Sequence, residues 1–285
     1  VKNTLIGAVA GDSLTDADFN VAIGEKALGS DTKGNRSVAI GQGALFTQNF
    51  TSSTDSFNTA VGFQAGLSVT TGTQNTLIGG EAGDAITTGS QNVAVGYLAL
   101  SLETTSSNNV AIGREALKTS NGGSNNTAVG RTALAANTTA DNNTAVGFNA
   151  LSADTIGTSN VAVGAGALAA NTTASNNVAV GGDALLSNTT GTRLTAVGLN
   201  ASRANTTSSS NTAFGTEALT SNTLGSHNTA IGDGSLKTFN VGSAATTFNT
   251  AVGAGSGNVL TTGVQNTLIG AACGDALTIG NNNVA

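Results

Sequence analysis

Side chains able to do acid–base, nucleophilic or metal chemistry are scarce here: the chain has one histidine, His227, one cysteine, Cys273, and one tyrosine, Tyr97. Proton transfer and covalent attack need an acid, a base and a nucleophile held together, and this inventory builds neither a triad nor a histidine metal site within one chain. His227, in Ser226-His227-Asn228, falls just before a predicted strand and reads as an exposed loop residue; only a trimer axis would bring three copies together. A lone Cys273 allows no intrachain disulfide or cysteine metal cluster, and it stands where other repeats carry Ala, as a small buried filler. Asp12, Asp84 and Asp275 recur, but not in successive repeats as calcium-binding nonapeptides require. Dinucleotide and phosphate-loop glycine motifs are absent. The sequence therefore predicts no enzyme, no cofactor and no metal.

Composition narrows the partners. Charged residues are 9% of the chain, and a net charge of −6 is spread without any Lys/Arg cluster. That excludes nucleic acid and anionic membrane surfaces. No apolar run approaches the roughly 20 residues of a membrane span. Disorder is excluded as well, because Val, Ile and Leu return at fixed positions.

Those positions belong to a repeat, represented by Asn126–Asn142, NTAVGRTALAANTTADN. Its glycine, Gly130, has counterparts from Gly7 to Gly270 at steps of 17 residues, except Gly41 to Gly62 and Gly232 to Gly253, which are 21 apart. A period this short marks a solenoid. With Asn126 as position 1, position 2 is Thr or Val, position 3 Ala or Leu, position 4 Ile, Val or Phe, and position 5 Gly. β-branched residues at 2 and 4 suit an extended strand, and Gly130 and its counterparts suit a turn with positive φ. Glycine in every repeat argues against helix, at about 1 kcal/mol per Gly relative to Ala.

Alternation puts positions 2 and 4 on one strand face and position 3 on the other. Both faces are apolar or small, so the strand is expected to be covered on both sides. A 17-residue coil has one interior of its own; the second cover must come from another chain. A volume exchange assigns the faces. Most coils have Ala at position 3 and Leu at position 9, such as Ala128 with Leu134. Leu5, Leu77 and Leu268 at position 3 go instead with Gly11, Gly83 and Gly274 at position 9, and with Leu14, Ile86 and Leu277 at position 12. Such compensation is expected of side chains sharing one dense core. Positions 3, 9 and sometimes 12 then line the interior, and positions 2 and 4, including Val129, form an outward apolar stripe.

Thr at position 13, such as Thr138, and Asn at position 1, such as Asn126, are expected to stack as ladders, the amides hydrogen-bonding from coil to coil. The structural residues of the coil are thus Asn126, Val129, Gly130, Ala133, Leu134 and Thr138. Two four-residue insertions, near Phe46–Phe57 and Lys237–Phe248, hold five of nine Phe and read as packed bulges on enlarged coils. Asn58–Ala94 and Asn249–Ala285 match at 23 of 37 positions, so the array itself is duplicated. Residues 1–285 are expected to form one continuous array of about 17 coils, roughly 80 Å long at ~4.8 Å per coil, and to be a segment of a longer protein.

The motif N-[TV]-[AL]-[IV]-G-x-x-[AS]-[LG], spread over all coils from Asn3, resembles the NSVAIG-type repeats of trimeric autotransporter adhesin heads. It is closer still to the NTAVGxxAL arrays of phage and marine-virus tail fibres. The resemblance implies an all-β fold, a left-handed parallel β-roll, with three chains intertwined or side by side. Adhesin head repeats are shorter than 17 residues, so a larger cross-section is expected here. The implied function is the shaft of a homotrimeric extracellular fibre on a virion, a stiff spacer for host attachment, with any glycan or protein receptor bound through flanking regions. The alternatives are the head of a bacterial surface adhesin that binds matrix or carbohydrate, and an ice-binding solenoid.

Overall fold

The structure, a computed structural model, describes residues 2–285. It is all-β, without helix among the described residues, and winds as a parallel β-solenoid of about 16 coils of about 17 residues. Two compact units are present, Val1–Asn142 and Asn143–Ala285.

In the first unit the strands are β1 (Thr4–Ile6), β2 (Val21–Ile23), β3 (Gly34–Asn35), β4 (Val38–Ile40), β5 (Thr54–Asp55), β6 (Thr59–Val61), β7 (Thr76–Ile78), β8 (Val93–Val95), β9 (Val110–Ile112) and β10 (Thr127–Val129). In the second they are β11 (Thr144–Val146), β12 (Val161–Val163), β13 (Val178–Val180), β14 (Thr195–Val197), β15 (Thr212–Phe214), β16 (Gly225–Ser226), β17 (Thr229–Ile231), β18 (Ala245–Thr246), β19 (Thr250–Val252) and β20 (Thr267–Ile269). Each three-residue strand is positions 2 to 4 of its coil. Within each unit these strands pair in parallel without register shift, as in Thr76↔Val93, Leu77↔Ala94 and Ile78↔Val95 of β7 and β8. The two-residue strands are products of the insertions: β3 pairs β5, and β16 pairs β18.

After the strand, the backbone makes overlapping turns. In the coil of Leu168, Ala167 N–H donates to Gly164 O, Ala169 N–H to Gly166 O and Asn171 N–H to Leu168 O. Positions 7 and 9 fall third in successive turns, where a type II turn requires positive φ. Accordingly Glu115 and Leu117 have φ of 59° and 50°, and glycine takes either position in several coils. Position 5 is stricter. Gly96 has φ +134°, and a Cβ there would lie 2.6 Å from Gly113 O of the next coil. The positive φ expected of this glycine is present, and close coil stacking requires it a second time.

The interior is built from positions 3, 8, 9 and 12. Ala128, Ala133 and Leu134 are fully buried, as are most of their counterparts in both units. Volume exchange is visible in atomic detail: a Cβ on Gly83 would lie 2.8 Å from both Leu77 Cδ2 and Ile86 Cδ1. The exchange also crosses coils. Gly66, at position 9 of the preceding coil, would put a Cβ 2.7 Å from Leu77 Cδ1, and Gly257 bears the same relation to Leu268 at 3.0 Å. One leucine therefore fills the space of two absent ones.

Position 12 is interior in more coils than expected. Polar residues there are buried too: Asp31, Gln48, Glu103, Ser120, Asn137, Asp154, Asn171, Asn188, Asn205 and Asn222. The coil corner offers these polar groups hydrogen-bond partners. Asn188 Nδ2 donates to Asn171 Oδ1 (3.0 Å) and Asn205 Nδ2 to Asn188 Oδ1 (2.9 Å), while each also donates to a carbonyl of its own coil.

The insertions are packed bulges, as the aromatic content suggested. Phe50 and Phe239 enter the interior beside Gly34 and Gly225, where added Cβ atoms would come within 2.8 and 3.0 Å of the rings. Phe57 and Phe248 remain exposed.

Candidate functional site: an outward apolar stripe

The feature with most to offer a partner is the outer face of the strands. In most of them the middle residue is buried and its two neighbours are half-exposed, as in Val110–Ile112 and Thr127–Val129. Ile78, Ile112 and Ile231 are 38–39% exposed and Phe214 is 54% exposed. A strand followed by a parallel neighbour at the same register stacks these residues in columns: Val95 beside Ile112 beside Val129, and Val197 beside Phe214 beside Ile231. Isolated surface leucines are ordinary, whereas a contiguous apolar column marks an interaction surface. Positions 2 and 4 thus face outward, as the volume argument assigned them.

The ladders hold this face straight. Asn126 is buried; its N–H donates to Asn109 Oδ1 (2.9 Å) and its Nδ2 donates to Ala140 O of its own coil (2.8 Å). Asn75 and Asn92 repeat the pattern. The expected amide-to-amide ladder is therefore mostly an amide-to-backbone one: each Asn Oδ1 caps the next coil's N–H, and each Nδ2 closes its own coil. Direct amide pairing accompanies it only in places, such as Asn266 Nδ2 to Asn249 Oδ1 at 3.2 Å. Side-chain geometry explains the difference, because the backbone N–H entering the strand would otherwise be left unpaired in the interior. Thr ladders behave alike: Thr87 Oγ1 donates to Thr104 O (2.9 Å) and Thr189 Oγ1 to Thr206 O (3.1 Å). Thr138 lies in this column, exposed, and its carbonyl accepts the Asn121 N–H at 2.8 Å.

Residues singled out for chemistry are scattered. His227 is exposed, as its loop position suggested, and its ring lies 5.3 Å from that of Phe248. Tyr97 is 49% exposed. Cys273 departs from expectation: it is free and only half-buried. Asp84 Oδ1 is buried without a hydrogen-bond partner, and burial pushes its carboxyl above the usual range. Among the described residues no cluster of three or more His, Cys, Asp or Glu side chains is arranged to hold a metal, and no helix is long and apolar enough to cross a membrane.

Two surface features were not foreseen. A column just before the strand interleaves cations and rings: the Arg36 guanidinium lies 5.0 Å from the Phe19 ring and 5.8 Å from the Phe57 ring, and it pairs with Asp55 at 3.1 Å. Beside the first insertion, Lys26, Gln42, Phe46, Gln64 and Leu67 line a surface depression of about 400 Å³. Both involve residues that vary between coils, so the repeat pattern gave no signal for either.

No known family model matches this sequence, and no curated protein matches it.

Proposed function

We propose that this chain is a structural shaft of a homotrimeric extracellular fibre, a spacer carried on a virion and used in host attachment. The observation that carries the reading is the outward column at position 4, Ile, Val or Phe along both units, flanked by Thr or Val at position 2 and left partly exposed in a single chain. Three chains placed with these columns against one another would remove that surface from water at about 25 cal/mol per Å². A side-by-side left-handed β-roll is the arrangement the repeat resemblance implies. Stiffness within each unit comes from the backbone ladder and the Asn and Thr columns that reinforce it. Receptor binding belongs, on this reading, to flanking regions.

The test is the mass in solution. A species of three times 27.6 kDa is expected, and Ile112→Asp or Val129→Asp, each placing a charge in the stripe, should reduce it to monomer. A monomeric wild type would overturn the trimer.

One observation favours a second reading, the head of a surface adhesin. The depression at Phe46 combines a ring, two side-chain amides and the Lys26 ammonium, a donor set suited to a carbohydrate. Glycan-array binding by the isolated segment, abolished by Phe46→Ala, would support that reading over a passive shaft. An ice-binding surface is disfavoured, because the Thr hydroxyls of the ladder already donate to the next coil.

A further inference from the structure

Three coils carry Asn in place of Thr at position 13: Asn49, Asn121 and Asn240. In each, the side-chain Oδ1 accepts a hydrogen bond from the Thr of the preceding coil: Thr32 Oγ1 to Asn49 at 2.8 Å, Thr104 Oγ1 to Asn121 at 2.8 Å and Thr223 Oγ1 to Asn240 at 2.9 Å. Such a bond draws electrons from the amide carbonyl carbon, Cγ. Asn121 differs from the other two in being followed by glycine. Asn121 and Gly122 are both exposed, and the side of Gly122 where a Cβ would stand is open, with Thr139 Cγ2 the nearest atom at 3.6 Å. Gly122 N–H donates to Glu103 Oε2 at 3.3 Å. Glu103 is fully buried, and its position is fixed by the N–H groups of Thr104, Thr105 and Ser106 on Oε1 and the Ser120 hydroxyl on Oε2. Two successive coils thus bring together an unhindered backbone nitrogen, a carboxylate on its proton and a polarised amide carbon.

We propose that Asn121 is a modification site at which the fold drives deamidation, with Glu103 as the catalytic base. Glu103 takes the proton of Gly122 N as that nitrogen bonds to Asn121 Cγ, and the Cγ–Nδ2 bond breaks with the same proton leaving on ammonia. The product is a five-membered succinimide. Water then opens it, adding hydroxide to one carbonyl carbon and a proton to the ring nitrogen, to leave an aspartyl residue in place of Asn121 or the isoaspartyl isomer. Either outcome sets a second carboxylate beside Glu103. The isomer also inserts a methylene into the backbone at the rung where Asn121 N–H meets Thr138 O. The array therefore carries one rung that ages.

Asn49 and Asn240 serve as internal controls. Asn49 has the same Thr bond and a carboxylate, Asp31 Oδ1, 3.4 Å from the next backbone nitrogen, but that nitrogen belongs to Phe50. Asn240 precedes Val241. The experiment is peptide mapping by mass spectrometry of the whole chain during incubation at neutral pH, folded and in urea. A gain of about 1 Da at the peptide holding Asn121, and at neither control, faster in the folded chain than in urea, is expected. Glu103→Gln should slow it by about tenfold or more, and Thr104→Val should slow it as well, with circular dichroism confirming that each variant folds. An unchanged Asn121, a folded rate at or below the urea rate, or a folded Glu103→Gln at the wild-type rate would overturn the proposal.

Discussion

Asp154 occupies an interior corner that nearby coils fill with asparagine, at Asn171 and Asn188. Burial raises its pKa from 3.8 to about 7, only partly offset by hydrogen bonds from Asn171 Nδ2 (2.8 Å) and Gly157 N–H (3.2 Å), and Oδ2 finds no partner among the described residues. The folded chain thus binds this proton more tightly than the unfolded chain does. Its contribution is most favourable below pH ~4 and declines as pH rises to ~7, by an amount on the order of 4 kcal/mol. Asp154→Asn should therefore raise the melting temperature at pH 8 and change little at pH 4, as thermal denaturation at the two pH values would report. At Gly96 a side chain is strained twice, by φ +134° and by Gly113 O. Gly96→Ala is expected to cost about 1–3 kcal/mol from the backbone alone, with the clash in addition, measured by urea titration. A wild-type midpoint would mean that neighbouring coils can spread at no cost.

At the scale of the coil, the exchange between positions 3 and 9 makes a prediction about coupling. Leu77→Ala removes a fully buried side chain and should cost about 2–5 kcal/mol. Gly83→Leu alone should overpack against Leu77 and Ile86 at about 1–3 kcal/mol. Together they should cost less than the sum by about 0.5–3 kcal/mol, because the leucine introduced in place of Gly83 occupies the volume vacated by Leu77. Additive costs in a double-mutant cycle would show that the two positions do not share one space. The insertions follow the same packing logic: Gly34 and Gly225 lack side chains where Phe50 and Phe239 need room.

Across the whole molecule, a solenoid is stabilised by nearest-neighbour contacts, so one coil is dispensable but one residue of register is not. Deleting residues 109–125, one full period, should leave the circular dichroism spectrum unchanged and lower stability slightly. Removing 109–124 instead puts a one-residue slip into every ladder and should cost most of the cooperative unfolding transition. Equal behaviour of the two deletions would contradict the register-locked Asn and Thr columns.

The sequence by itself determined the period, the strand at positions 2 to 4, the glycine turn and the volume exchange. Each depends on spacing within 17 residues and is written again in every coil. Ala128, Leu134 and the face of Val129 were legible for that reason. What only the tertiary structure decided is where polar atoms end up. Whether Asn137, Asp154 or Glu103 faces water or the interior depends on carbonyls and N–H groups supplied by coils above and below. Asn126 commits its amide to the backbone, where a similar composition would equally allow amide pairing. Residues that occur in one coil only, Gly122 after Asn121 or Arg36 between Phe19 and Phe57, acquire meaning by landing one coil from a particular neighbour. A repeat pattern averages such residues away, while stacking sets them side by side.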